Sequence, residues 1–350
     1  FYSDLDLHCS IRVVNEKEFS FKKRTKVVCQ IVKYADPLQV KIIQVLGHPD
    51  DAGVDISAML TSNQVRQVFN GKIVKECKKI PAKVQMDELE NRKDLRNLLT
   101  VTIDGDDAKD FDDAISIVKN EKGYLLYVHI ADVSHYVKEN SALDQEAYLR
   151  GNSIYVCDRV VPMLPFDLSN GICSLNEGVI RLTMSCVMTI NEKGKVIDYD
   201  IFESYIKSSK KMTYEAVNDI LMRDIIPDGY EPFADTLKEM NVLAHILRKE
   251  KMGRGYIDFN LDEPEIIQDE NGKAIDIVRV VREDGEKMIE DFMIAANETV
   301  ASHIYNMDLP FIYRVHGAPN SDKIDDFTNL LKALGYTLKT RKLKSEANGS

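Results

Sequence analysis

The sequence predicts a mixed α/β (α+β) domain preceded by a small OB-fold β-barrel, and three observations carry that prediction. Apolar residues fall at every second place in short stretches of the first 60 residues. Period-two spacing returns between Val101 and Ile190. Beyond Phe233 the spacing changes to three and four, the period of helices.

In chain order, Val27, Cys29 and Ile31 alternate, and a second apolar stretch runs from Val40 to Leu46. Residues 1–60 are therefore assigned to part of a five-stranded OB-type barrel. Residues 61–93 form a lysine-rich helical connector, and residues 94–350 the main domain. Leu182, Met184, Cys186, Met188 and Ile190 line one face of a strand, and the turn NEKGK leads to a partner strand over Val196 to Tyr205. Phe233, Leu237, Met240, Ala244 and Leu247 have helical spacing up to the Gly253–Gly255 break. Met288, Phe292, Ala296, Val300 and Ile304 have it before Pro310.

Between Asp104 and Asp113 the chain reads DGDDAKDFDD, six aspartates in ten residues. Two unit charges 4 Å apart repel by roughly 4 kcal/mol at an effective dielectric near 20, so carboxylates gathered in a fold need a cation or protons. Magnesium suits them, because it binds a few carboxylates and keeps water or phosphate oxygens in its remaining positions. A solvated acidic loop is the plain alternative for such a run. The flanks argue against it, since Val101 and Ile103 before the acids and Ile115 and Ile117 after them alternate as strands do. A calcium helix-loop-helix fails on spacing. Counted from Asp104, Ala108 and Lys109 stand where a ligand and a glycine are required, and Ile115 where a glutamate is required.

With its surroundings the run resembles the motif of the ribonuclease II and ribonuclease R family, with ribonuclease R the nearer branch. RKDLRNLLTVTIDGDDAKDFDDAISI (92–117), HIADVSHYV (129–137), RGNSIYVCDRVVPMLPFDLSNGICSLNEGVIRLTMSC (150–186), RGYIDFNLDEPE (254–265) and LPFIYRVH (309–316) stand in family order. GHPDDAGVDISAML (47–60) resembles the exit from the family's second cold-shock-type domain. The resemblance implies a processive hydrolytic exoribonuclease that degrades single-stranded RNA from its 3′ end, releases nucleoside 5′-monophosphates and uses Mg2+. The family's motif aspartates fall on Asp104, Asp110, Asp112 and Asp113, with Asp112 as the catalytic group; Asp106 and Asp107 are extra acids, read as solvated or supporting. Asp110 and Asp112 share a side of an extended backbone and Asp113 does not, so Asp110 to Asp113 is expected to be irregular. An RNA-binding adaptor without catalysis and a DNA phosphodiesterase are the competing readings.

The resemblance also implies that Tyr155 clamps a base and that Phe259, or else Tyr256, closes the stack; core packing is the alternative for each. His129 and His135 share a face if one extended strand holds both, and a hydrogen-bonded structural histidine is the better reading of each. Arg314 and His316 are candidates for a channel wall or for burial.

The formal net charge of −11 is unusual for a chain that must bind phosphates. Lysines at 72, 75, 78, 79 and 83, a basic run after 331, and Lys207, Lys210 and Lys211 form local stripes, each by itself an ordinary solvated face. The six cysteines contain no C-x-x-C pair, which predicts reduced thiols in a cytoplasmic protein and argues against zinc. No apolar run approaches the roughly 18 residues of a membrane span. The chain starts at Phe1 and ends in KLKSEANGS. Those ends are expected of a piece of a longer protein, with a cloning scar at the extreme end as the alternative. The family's arginine-bearing TSPIRRYxDL segment and closing OB domain do not occur in residues 1–350, so these residues alone are not expected to be competent.

Overall fold

The computed structural model describes residues 9–258, 263–315, 317 and 319–338. It divides into two compact units, Phe1–Val300 and Ala301–Ser350.

The first unit begins with β1 (Ile11–Val13), β2 (Lys26–Lys33) and β3 (Leu38–Gly47), ordered β1-β3-β2. Val13, Leu38, Val40 and Ile42 form its core. The alternation at Val27, Cys29 and Ile31 locates β2, but Cys29 and Ile31 are exposed because β2 is an edge strand and β3 supplies most of the buried side chains. Next come α1 (Val54–Ser62) and α2 (Gly71–Cys77). Asn70 caps α2 by accepting from the backbone N–H groups of Lys72 and Ile73. The lysines of the connector stay in solvent while Ile73 and Cys77 are buried against Tyr136, Leu143 and Leu168.

The main sheet is built from β4 (Lys93–Asp94), β5 (Val101–Asp104), β6 (Asp113–Asn120) and β7 (Gly123–Ala131), then, after α3 (Val133–Tyr136), α4 (Ala142–Arg150) and the ribbon β8 (Ile154–Val156) and β9 (Arg159–Val161), from β10 (Ile180–Ile190), β11 (Val196–Lys207) and β12 (Lys210–Thr213). Its seven strands run in the order β12-β5-β6-β7-β10-β11-β4. The β6–β7 turn requires Gly123: its φ is +126°, and a Cβ there would come within 2.2 Å of the Ile190 carbonyl oxygen.

One face of the sheet is apolar and packs on α5 (Tyr214–Met222), α6 (Ala234–Gly253) and α7 (Asp284–Asn306). Of the residues with helical spacing, Phe233, Leu237, Met240, Ala244, Leu247, Met288, Phe292 and Ala296 are buried there, while Val300 and Ile304 are half-buried. The opposite face carries a chain of polar side chains. Thr100 and Ser116 hydroxyls lie 2.8 Å apart, His129 bridges Ser116 (3.2 Å) and Ser185 (2.7 Å), and Ser204 joins Ser185 (2.5 Å) to Thr183 (2.6 Å). Each of these five hydroxyls, on Thr100, Ser116, Ser185, Ser204 and Thr183, has a partner, which is what burial of polar groups demands. His129 is therefore a structural histidine, held neutral because burial lowers its pKa to about 3. His135 does not share its strand: β7 ends at Ala131, and His135 lies in α3, whose cap is Asp132.

The antiparallel ribbon β13 (Glu263–Gln268) and β14 (Ala274–Val280) precedes α7. In the second unit α8 (Ser321–Ala333) is capped by Asn320, Phe311 and Tyr313 meet edge to face, and Arg314 is exposed. His316 and Phe259 lie outside the described residues. Among the described residues no helix is long and apolar enough to cross a membrane.

Candidate metal and RNA site

The four motif aspartates stand where β5 ends and β6 begins. Asp104 is the last residue of β5, opposite Thr213 of β12. Asp113 is the first residue of β6, opposite Ile130 of β7. The loop between them is irregular through Asp112, whereas Asp113 already belongs to the sheet, so the irregular stretch is one residue shorter than the sequence suggests. The fold reconciles the acids by burying Phe111 between Asp110 and Asp112. Phe111 is packed against Ala114, Ala131, Leu175 and Ile206, which leaves its acidic neighbours toward solvent.

Backbone hydrogen bonds fix this arrangement. Ser174 Oγ donates to the Lys109 carbonyl at 2.8 Å and accepts from the Phe111 N–H at 3.0 Å. Leu175 N–H donates to Phe111 O, and Ala131 N–H to Asp112 O, both at 2.9 Å. Asp106 and Asp107 are exposed in the turn, as expected of accessory acids.

Burial first, and then the neighbouring carboxylates, raises the pKa values of Asp104, Asp112 and Asp113. Asp104 feels Asp110 and Asp107; Asp112 feels Asp110 and Asp104. Asp113, pushed up to about 6, feels Asp104 and Asp112. The four acids thus share one electrostatic environment. Its donors are hard anionic oxygens, the chemistry that suits a divalent cation such as magnesium. Among the described residues no three His, Cys, Asp or Glu side chains already stand around one point in ligating geometry.

Tyr155 projects from β8 into this environment. It is 67% exposed, so it is not a core residue, and its hydroxyl donates to Asp110 Oδ2 at 3.0 Å. Burial and that hydrogen bond raise its pKa to about 12. Tyr256 is half-buried, with its ring 4.0 Å from the Lys251 ammonium. Two residues near the acids escape sequence reasoning. Tyr214, at the start of α5, has its pKa raised by burial and by the Asp104 and Asp113 charges. Lys211, earlier placed only in a basic stripe, reaches the Ala108 carbonyl at 3.0 Å. The signal for Tyr214 is its place directly after the short strand that pairs with the Asp104 strand, a pairing visible only in three dimensions.

The RNB domain family matches residues 92–349, and the cold shock domain family matches residues 3–70. Ribonuclease R of Thermotoga maritima is 49% identical over 325 residues, covering 91% of this chain and 46% of its own length. Ribonuclease R 1 of Lactococcus lactis is 44% identical over 335 residues, covering 93% of this chain and 41% of its own. The structure of Mycoplasma genitalium RNase R in complex with ribose-methylated single-stranded RNA superposes with a TM-score of 0.90 at 32% identity, over 97% of this chain and 53% of that one. The chain therefore spans less than half the length of these two sequence relatives. An RNB match over most of the sequence, with the acidic loop inside it and a cold-shock module ahead of it, makes this chain a member of the RNB domain family.

Proposed function

We propose that this chain carries the metal-binding half of a processive 3′-to-5′ exoribonuclease that hydrolyses single-stranded RNA to nucleoside 5′-monophosphates. The observation that carries the reading is the group of mutually repelling carboxylates at Asp104, Asp112 and Asp113, partly withdrawn from water and open to it at Asp112, beside the exposed ring of Tyr155. The proposed organisation is part of an OB module over 1–60, a connector over 61–93 and the catalytic domain over 94–350. RNase R relatives that cover most of the chain, one of them solved with single-stranded RNA, support the assignment of reaction and substrate.

Asp104, Asp110, Asp112 and Asp113 would hold Mg2+, which when bound supplies charge stabilisation at the scissile phosphate and an acidified water. Asp112, the outermost of the three raised acids, accepts a hydrogen bond from the attacking water and orients it. Asp110 is held by the Tyr155 hydroxyl, so the ring that stacks on the base and the acid that faces the phosphate are set by one contact. Phe259, outside the described residues, is the proposed partner ring. The six unpaired thiols are in keeping with a reducing, cytoplasmic setting.

The test is single-turnover degradation by the intact protein of matched single-stranded RNA and DNA with Mg2+ present. Release of 5′-monophosphates from RNA and none from DNA is expected. Binding without release would favour an adaptor, and equal release from DNA would favour a general phosphodiesterase.

A further inference from the structure

Lys211 lies beside the acidic loop without belonging to its donor set. On β12 it faces Thr102 of β5, two places from the Thr213–Asp104 pair. Its backbone N–H donates to Glu177 Oε2 at 2.8 Å, which anchors the strand at that point. Its ammonium donates to the Ala108 carbonyl at 3.0 Å and lies 4.8 Å from the centroid of the Phe111 ring. Ala108 stands in the middle of the loop, where its N–H donates to Gly105 O at 3.2 Å. Phe111 plugs the second half of the loop into the core. One half-buried side chain thus touches both halves of the segment between Asp104 and Asp112.

We propose that Lys211 is a positioning residue for the metal-binding carboxylates: by tying Ala108 and Phe111 to β12 it keeps Asp110 and Asp112 in register with Asp104. This role rests on the reading that these aspartates hold a divalent cation. It makes a prediction opposite in sign to simple electrostatics. A lysine near carboxylates competes with a metal ion, so removing its charge should tighten cation binding if charge were its whole effect. If Lys211 orders the loop, its removal weakens cation binding instead.

Mn2+ binding to the intact protein, followed by loss of the free-ion electron paramagnetic resonance signal, separates the two. Lys211→Met keeps the apolar stem over Phe111 and loses the donor. Its Mn2+ affinity is expected to fall about fivefold or more, the order of effect of losing one charge-assisted hydrogen bond. Lys211→Arg, which can still reach a carbonyl, should recover affinity to within about twofold of the unsubstituted protein. Hydrogen exchange at the Ala108 amide should quicken in the methionine variant while the β10 amides stay protected, which distinguishes a loosened loop from a loosened fold. Should the methionine variant lack a cooperative melt, Lys211→Gln takes its place in the same measurement. Tighter or unchanged Mn2+ binding by a folded variant overturns the role. Failure of the unsubstituted protein to bind Mn2+ is a separate result, which overturns the metal reading and this role with it.

Discussion

The buried carboxylates that join elements and the half-buried or exposed ones at the β5–β6 junction are treated in opposite ways. Asp132 accepts from Arg92 Nη2 at 2.6 Å, from Ser134 Oγ at 2.8 Å and from the His135 N–H at 3.2 Å. Burial pushes its pKa upward, but Arg92 and the other donors more than offset that, and the carboxyl rests below its ordinary range. Asp291 joins α7 to α6 through Lys251 at 2.7 Å and Arg248 at 2.8 Å. Asp112 and Asp113 receive no such compensation, and both burial and the neighbouring carboxylates push them up. The same chain can neutralise a buried acid where it serves to join elements, and the contrast supports the proposal that the uncompensated acids at the β5–β6 junction take their balancing charge from a bound cation.

The sharpest way to break this contrast is Asp112→Asn in the intact protein. The amide keeps the shape but removes a negative charge from the proposed cation and water site, so RNA turnover should fall about ten-thousandfold or more, over 5 kcal/mol of transition-state stabilisation. Affinity for single-stranded RNA should stay within several-fold, because phosphate and stacking contacts elsewhere supply most of it. Near-normal single-turnover rates would remove Asp112 from the mechanism.

Arg92→Met attacks the compensated kind. Both partners are nearly buried, with side chains 4% and 3% exposed, and loss of one partner of a buried pair costs roughly 3–5 kcal/mol. A large drop in Tm is expected, and added Mg2+ should not restore it. A drop no larger than that of an exposed control pair such as Lys93–Asp200 would mean that Asp132 tolerates solitude, and the contrast would weaken.

Asp113→Asn should have the opposite effect on stability. The folded pKa of Asp113, about 6, lies above the ordinary value of 3.8, so the folded state binds the proton more tightly than the unfolded chain does. Its ionisation therefore opposes folding fully above about pH 6, and the penalty fades as the pH falls toward 4. Without divalent ions the asparagine variant should be more stable than the unsubstituted protein, by on the order of 3 kcal/mol at pH 7.5, and equally stable near pH 4. Comparing the two proteins cancels His129, whose burial acts in the acid range on both. Denaturant titrations across that range check it, and Mg2+ should erase the variant's advantage at pH 7.5. An advantage that grew on acidification would reverse the assignment.

Much of the fold and one side of this contrast, the acidic run, were legible in the sequence, because they rest on local pattern. The acidic run flanked by alternating strands, the β10–β11 hairpin and the spacings of α6 and α7 are local features, and the fold keeps them. What the sequence hid depends on contacts across strands. Met184 shares a strand face with buried Cys186 and Met188 yet is 38% exposed, whereas Thr183 and Ser185 on the opposite face are buried. Period-two reasoning assumes one wet face, and β10, in the interior of a seven-stranded sheet, is covered on both along most of its length, with Met184 left at an opening. The compensation of Asp132 by Arg92 spans 40 residues, and Lys211 reaches Ala108 across 103. No window along the chain contains either pair.

The smallest expected effect comes from Tyr155, which touches the uncompensated acids without sharing their charge. Its ring is open to solvent and its hydroxyl is bound to Asp110, so Tyr155→Ala and Tyr155→Phe remove different things. Alanine removes the stacking surface, worth roughly 1–3 kcal/mol per base. That loss matters most when few nucleotides remain bound, so the limit product on single-stranded RNA should lengthen while turnover of long RNA persists. Phenylalanine keeps the ring and removes only the donor to Asp110. The product ladder should then stay the same length, and the cost should appear as a modestly higher Mg2+ requirement, because Asp110 loses a fixed orientation. Product ladders resolved to single nucleotides, with a Mg2+ titration for each variant, separate the two. If alanine leaves the ladder unchanged and phenylalanine alone alters the Mg2+ requirement, Tyr155 belongs with the groups that position the acids, and the base stacks elsewhere.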